Sequence, residues 1–395
     1  MIQISNISFY DNSPWEIPIN KRIEYAKKAV MNNRKLAIHF YEQADSSTFR
    51  YRCYNVMQAL ITSESWASTY FFLDELESIG SIIPLMQLPI ITRIRWSPKL
   101  DNFIYSLRLR GLPIIYDVDD LIFDLDKLLI VRNTLNSISD VTEINDAWVA
   151  LTGRHQMTAT LADAYTTTNK CLGYELSHKF GKHFEIVPNT LNREQISISK
   201  LILNEKTQNK SIPPFTIGYF SGTPTHINDF KVVYRELMML LDKYPNIYLK
   251  IVGYMDLPTD MQPYLDSNRI KIVPLVDFIE LQRQIASVDI NIAPLIQNSF
   301  TNSKSELKFF EAAIVNTITV ASPIYSFKNS IVNGVNGFLC EEGEWFEVLE
   351  KIYLKQVDTY SIIEKARQDV LNVYTPENFS RIVTRVYDKL EQKLC

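Results

Sequence analysis

Residues Asn302 to Cys340 read NSKSELKFFEAAIVNTITVASPIYSFKNSIVNGVNGFLC. A polar loop carrying Lys304, Ser305 and Lys308 runs into a helical stretch that ends in Glu311-Ala312-Ala313. A strand, Thr317–Ala321, follows, and then a turn, Asn333-Gly334-Val335-Asn336-Gly337. A helix N-terminus presents unpaired N–H groups and a partial positive charge, which suit a diphosphate. Lys304 and Lys308 add charge there, and Ser305 adds a hydroxyl or backbone donor. A carboxylate two turns further on, Glu311, is placed to accept from a ribose diol. Helical spacing alone also fits an amphipathic helix with a solvated Lys/Glu face. The strand–loop–helix–strand setting favours the ligand site.

Working outward, the second half alternates short apolar strands with amphipathic helices. The strands are Thr216–Phe220, Tyr248–Val252, Ile270–Val273, Ile290–Ala293 and Ile318–Ala321, with a helix over Asp229–Tyr244. The first half repeats the pattern with Leu36–Tyr41, Ile90–Arg95, Pro113–Val118, Ala164–Thr168 and Phe184–Val187, a helix over Tyr54–Ile61 and another over Lys99–Arg110. Such continuous β-rich runs with helices between them predict parallel sheets covered on both faces. Between the halves, REQISISKLILNEKTQNKSIPP (193–214) is polar and ends in Pro-Pro, the composition of a linker. The expected plan is an α/β chain of two doubly wound, Rossmann-like domains facing a central cleft. It comprises an acceptor domain over 1–192, a linker over 193–213, a donor domain over 214–374 and a C-terminal helix over 375–395 that packs back on the first domain. Ligands are then expected at the carboxyl ends of the strands.

Composition excludes several classes. The chain has 395 residues, 46% apolar and 22% charged, enough for two ordinary cores. Residues 1–192 carry 19 Lys+Arg against 21 Asp+Glu, and 193–395 carry 22 against 24, so neither half has the basic field of a nucleic-acid binder. Cys53, Cys171, Cys340 and Cys395 form no CxxC pair, and the five histidines do not cluster with them, which speaks against structural zinc. The opening MIQISNISFYDNSPWEIP lacks the basic start and apolar core of a signal peptide, so none is expected. No apolar run reaches the roughly 20 residues that span a bilayer. A cytoplasmic protein is expected, with contact at the inner face of the membrane as the remaining option.

The stretch Asn302–Cys340, with Glu311 ahead of its small-residue pair and the Asn/Gly turn after the strand, resembles the donor-binding core of the GT-B glycosyltransferases of the large retaining family 4. A second string, GYFSGTPTHINDF (218–230), resembles the opening of the donor domain in bacterial surface-polysaccharide enzymes. Here a strand leads through Gly222 and Thr223 into a helix, where backbone amides can approach a phosphate. His226 would donate to the leaving phosphate or the sugar, or else cap the helix. LKIVGYMDLP (249–258) places Gly253 at a strand end beside the expected base pocket. The family usually carries two glutamates eight positions apart; the first falls on Ser303. The resemblance implies Gly222, Thr223, Gly253, Lys304, Ser305, Lys308 and Glu311 as donor-binding residues, retention of configuration and no cofactor. It does not extend to the first 34 residues.

Asp117-Val118-Asp119-Asp120 follows the strand Pro113–Tyr116. Such a motif holds a divalent cation in the other glycosyltransferase architecture, but two tandem α/β domains point away from that, and no metal is expected. Asp119 and Asp120 are instead placed to orient an acceptor hydroxyl or to stabilise positive charge on the sugar ring; a helix cap is the alternative. Arg52, in the turn after the first strand, suits an anionic acceptor group. Val187-Pro188-Asn189 is read as structural only. The expected partners are a nucleotide-sugar donor and a glycan or lipid-linked acceptor, with peripheral membrane contact or a partner glycosyltransferase as further options. An inactive subunit and a nucleotide-sugar epimerase are the alternatives.

Overall fold

The structure, a computed structural model, describes residues 13–45, 47–208, 213–222 and 227–394. Two parallel six-stranded sheets form its two halves. The first comprises β1 Lys35–Tyr41, β2 Trp66–Phe72, β3 Leu88–Thr92, β4 Ile115–Val118, β5 Ala164–Thr167 and β6 His183–Ile186, in the order β2-β1-β3-β4-β5-β6. The second comprises β7 Phe215–Ser221, β8 Ile247–Gly253, β9 Ile270–Val273, β10 Ile290–Ala293, β11 Ile318–Ala321 and β12 Phe338–Leu339, in the order β12-β11-β10-β7-β8-β9. Every strand pair is parallel, from Lys35↔Trp66 in the first sheet to Ser221↔Gly253 in the second. Residues such as Leu36, Ile38, Ile90 and Ile115 are wholly buried, because helices cover both faces and leave no strand side for water.

Strand order reverses between β1 and β3 in the first sheet and between β7 and β10 in the second. Loops leave in opposite directions at these points and open a crevice beyond the carboxyl ends. The fold is therefore as the periodicity predicts, with two differences. Trp66–Phe72 is an edge strand that the apolar runs did not single out; the helix Ile19–Met31 covers it, and Arg22 of that helix donates to the Tyr70 carbonyl at 2.8 Å and to Glu75 at 2.9 Å. The second difference corrects the linker. Arg193–Gln208 is a helix, with Gln195, Ile198, Ser199 and Ile202 buried on one face. That i, i+3, i+4, i+7 stripe decides the conformation, although its two polar members hide it in a Lys/Asn/Ser-rich sequence. It packs on the helix Phe278–Ala286, where Ser199 donates to Gln282 at 3.3 Å.

The C-terminal helix, Pro376–Leu394, lies on the first domain. Phe379, Val383, Val386, Tyr387 and Leu390 join a core with Trp66, Leu88 and Ile115. Tyr387 shares a hydrogen bond with His39 of β1 at 2.8 Å, and the Trp66 indole donates to Asp388 at 2.8 Å.

Candidate active site

Between the sheets run two adjoining cavities of about 270 and 360 Å3 that share Ser47, Tyr51, Phe220, Ser221, Gly222, Leu307 and Lys308. The smaller is walled by Val252, Leu275, Val276, Phe278 and Leu281, and by Arg50 and Glu311. The larger adds Thr48, Arg93, Asp119, Asp120 and Asn189 of the first domain, and Lys304 and Ser305 of the second. One end of the cleft thus has an apolar wall beside a carboxylate paired with Arg50, and the other is more highly charged.

Of the residues expected to bind a donor, Gly222, Lys304, Ser305, Lys308 and Glu311 line these cavities. The helix Leu307–Ala313 is only seven residues long, with Lys308 in the first turn after the loop Ser303–Glu306 and Glu311 at the start of the second. Protein closes around Lys308 even though the cavity still reaches it; desolvation lowers its pKa to about 8, and the charge of Asp229 only partly offsets this. Its ammonium lies 4.9 Å from the centre of the Tyr219 ring. Lys304 pairs across the cleft with Asp120 at 3.5 Å and stacks 4.3 Å over Phe300. The Ser305 hydroxyl accepts from Asn189 at 2.9 Å. Glu311 is 3% exposed and is not free: the Tyr51 hydroxyl donates to it, Gln195 donates at 3.2 Å, and Arg50 lies at 3.7 Å. Burial, and then the charge of Glu311, keep the Tyr51 hydroxyl well above its usual pKa, so it donates. The expected linker therefore supplies a site residue, Gln195.

Asp119 and Asp120 enter the larger cavity, while Asp117 turns away from it. Asp119 accepts from Arg93 at 2.9 Å and from Thr48 at 3.0 Å. Gly222 lines both cavities, and none of the described residues beyond its chain neighbours stands within 4 Å of where a side chain would begin. Gly253 lies behind the wall at φ +99°, and a Cβ there would stand 1.8 Å from the Ser221 carbonyl oxygen. Its glycine is required by strand packing rather than by ligand contact. Thr223 and His226, and Ser46 of the first-domain turn, lie outside the described residues.

Arg52 corrects the expectation of an acceptor contact. It is 1% exposed and makes a two-pronged pair with Asp117, Nε–Oδ2 at 3.0 Å and Nη2–Oδ1 at 2.6 Å. Its Nη1 donates to the Val187 carbonyl at 2.5 Å and to Asn189 at 3.1 Å. Four hydrogen bonds in a buried interior make it a clamp on β4 and the end of β6. It reaches the cleft only by holding Asn189, which holds Ser305. The cause is local: Arg50–Tyr54 winds as a π-helix, which sends Arg50 and Tyr51 to the cleft and Arg52 inward.

Sequence reasoning missed Arg50, Tyr51, Arg93 and Asn169. Asn169 donates to the carbonyls of Ser303 and Lys304, both at 3.0 Å, and so fixes the loop from the other domain. Arg93 had a readable signal, a charged residue directly after a parallel strand. Asn169 had none, since its partner is 134 positions away.

Compared with known proteins, residues 214–354 match the family described as glycosyl transferases group 1. The segment includes every second-domain residue of both cavities. Among solved structures, HepE of Anabaena in complex with UDP superposes with a TM-score of 0.55 at 14% identity, covering 90% of this chain and 100% of that one. Sucrose-phosphate synthase of Thermosynechococcus elongatus gives 0.57 at 12%, covering 91% and 100%. A glycosyltransferase from Rickettsia africae gives 0.56 at 14%, covering 91% and 99%. The fold is GT-B. No curated protein matches the chain. In this GT-B chain the matched segment ends before the C-terminal helix, and Arg50, Tyr51, Arg93, Asp119 and Asn169 all lie outside it.

Proposed function

We propose that this GT-B protein is a glycosyltransferase that moves a hexose or deoxyhexose from a nucleoside-diphosphate sugar to a glycan acceptor, free or lipid-linked, without a metal. One observation carries the reading: the graded cleft, with an apolar wall beside the Arg50–Glu311 pair at one end, Lys304 beside Asp119 and Asp120 at the other, and Lys308 between them. A nucleobase fits against Val252, Leu275, Val276 and Phe278, and its ribose hydroxyls reach Glu311. The diphosphate then falls between Lys308, Lys304 and Ser305, where charge-assisted bonds are strongest. The sugar extends towards Asp119 and Asp120. Lysines placed at the departing phosphate stabilise the charge that develops there, the work a cation does elsewhere. Asp117 and Asp119 are held by Arg52 and Arg93, an arrangement that favours structural and positioning roles over cation binding. Retention of configuration by front-face attack, and a bacterial surface polysaccharide as product, follow from the resemblance alone. A lipid-linked acceptor would bring with it peripheral contact with a membrane; among the described residues no helix is long and apolar enough to cross one.

A second reading has its own observation. Ser303, where the family usually has a glutamate, is wholly buried and donates to the Ser299 carbonyl at 2.8 Å. It cannot meet the sugar, which favours an inactive subunit that binds a partner glycosyltransferase. Incubation with a panel of nucleotide sugars, with and without EDTA, separates the readings. Slow donor hydrolysis that survives chelation supports the metal-free transferase. Interconversion of the sugars would mean an epimerase, and binding without turnover an inactive subunit.

A further inference from the structure

The crevice between β7 and β10 is accounted for by the donor cleft. The crevice of the first sheet, between β1 and β3, is accounted for only in part, through Thr48 and Arg93. It holds a separate cavity of about 240 Å3, whose wall is made by Tyr41 at the end of β1, Glu42, Gln43 and Asp45 beyond it, Arg93 and Arg95 after β3, and Leu151 of the helix Thr142–Leu161. Arg93 lines both this cavity and the larger cleft cavity, so the two meet at its side chain.

Three features mark this wall as built. Arg93 has φ +46°, a left-handed conformation that a residue with a side chain adopts only at a cost and keeps where its surroundings over-determine it. Glu42 is held by Arg95 through the backbone N–H at 2.9 Å and through Nε at 2.9 and 3.0 Å. Asp45 accepts from the Tyr41 hydroxyl at 2.7 Å and from the Ser47 and Phe49 amides at 2.8 and 3.1 Å. Two arginines and two carboxylates are therefore fixed in place, and their charges cancel. A balanced set of fixed donors and acceptors beside Ile122 and Leu151 suits a neutral, hydroxyl-bearing ring with an apolar face, and an anion would meet as much repulsion as attraction. The volume lies below the roughly 300–1,000 Å3 of pockets for drug-sized ligands, so it takes one ring rather than two.

We infer that this cavity is the subsite for one neutral pyranose of the acceptor, with Arg93 as the gatepost between acceptor and donor. This rests on the transferase reading for the role of the sugar, but not for its binding. The site replaces Arg52 as the place where the first domain recognises its substrate.

Saturation-transfer NMR with methyl α- and β-pyranosides of glucose, galactose, mannose, N-acetylglucosamine and rhamnose tests it on the full chain, with UDP titrated in parallel. At least one pyranoside is expected to bind the unmodified protein and to lose its signal in Leu151→Trp, which fills the cavity, with UDP binding unchanged. Gln43→Trp, at the exposed rim, repeats the block if the first variant does not fold. Absence of binding by every pyranoside, or binding that survives the filled cavity, overturns the subsite. Failure of UDP to bind counts against the donor reading instead, and leaves the pyranoside result to decide the cavity.

Discussion

Arg52 and Lys308 show how the surroundings of one side chain set its role. Arg52 gives its hydrogen bonds to Asp117, Val187 and Asn189 in a buried interior. Removing one partner of a buried pair leaves an uncompensated charge, so Arg52→Ala should lose roughly 3–5 kcal/mol in urea unfolding. A loss under about 1 kcal/mol, the range of an exposed arginine, would return it to the surface role. Lys308 has a different signature. Its pKa is lowered to about 8 by burial, so between pH 8 and 10.5 the unfolded chain binds more protons and this lysine makes stability rise with pH. A bound diphosphate favours the charged form, so UDP binding should take up protons near pH 8 and weaken as pH climbs from 8 towards 10. Calorimetry at several pH values, with Lys308→Arg as the variant expected to flatten the profile, checks this. The place of Lys308 at the cleft was legible in the sequence, but its desolvation and the burial of Arg52 were not. Arg52 and Arg93 both follow strands, and only the π-turn at Arg50–Tyr54 and the position of Asp117 separate the buried clamp from the cleft residue.

At the scale of elements, periodicity was a good guide wherever one face is apolar. The strands Ile270–Val273, Ile290–Ala293 and Ile318–Ala321 lie where the sequence puts them. It failed at Arg193–Gln208, whose inward face includes Gln195 and Ser199, polar residues with partners in another domain. The C-terminal helix was legible as a helix, but its polar ties were not. Burial lowers His39 to about 4, so this histidine is neutral where it meets Tyr387 and Thr92. Its folded pKa lies below the unfolded value, so the stability it allows is complete above about pH 6.5 and is lost as pH falls towards 4, at up to roughly 1.4 kcal/mol per pH unit. Thermal unfolding from pH 7 to 4 should show this loss, and His39→Gln should lessen the slope. An unchanged slope would mean that His39 is accessible to protons in the folded chain.

For the whole molecule, the donor residues are satisfied from across the cleft. Lys304 has Asp120, Ser305 has Asn189, and Glu311 has Tyr51 and Arg50. A donor must therefore exchange these bonds for its own. Tyr51→Phe removes one competitor for Glu311, and with hydrogen bonds to charged groups worth roughly 1.5–3 kcal/mol it should tighten UDP binding, by up to about tenfold after relaxation. Equal or weaker binding in this variant would make Tyr51 a ligand contact rather than a latch. Which second-domain residues meet at the cleft was legible, because a short loop and helix carry them. Their first-domain partners were not, since only the packing of two sheets brings together positions more than a hundred residues apart.

The central claim is that Glu311 marks the ribose end of a donor site, and one titration tests it most directly. UDP, or the nucleoside diphosphate that the donor panel selects, is titrated calorimetrically into the unmodified protein and into Glu311→Ala. The carboxylate's charge-assisted bonds are worth roughly 1.5–3 kcal/mol, so the variant should bind about ten- to a hundredfold more weakly while remaining folded. Glu311→Gln should fall between the two. Binding to Glu311→Ala as tight as to the unmodified protein would contradict the account, and the placement of Lys304, Ser305 and Lys308 on the donor would fall with it.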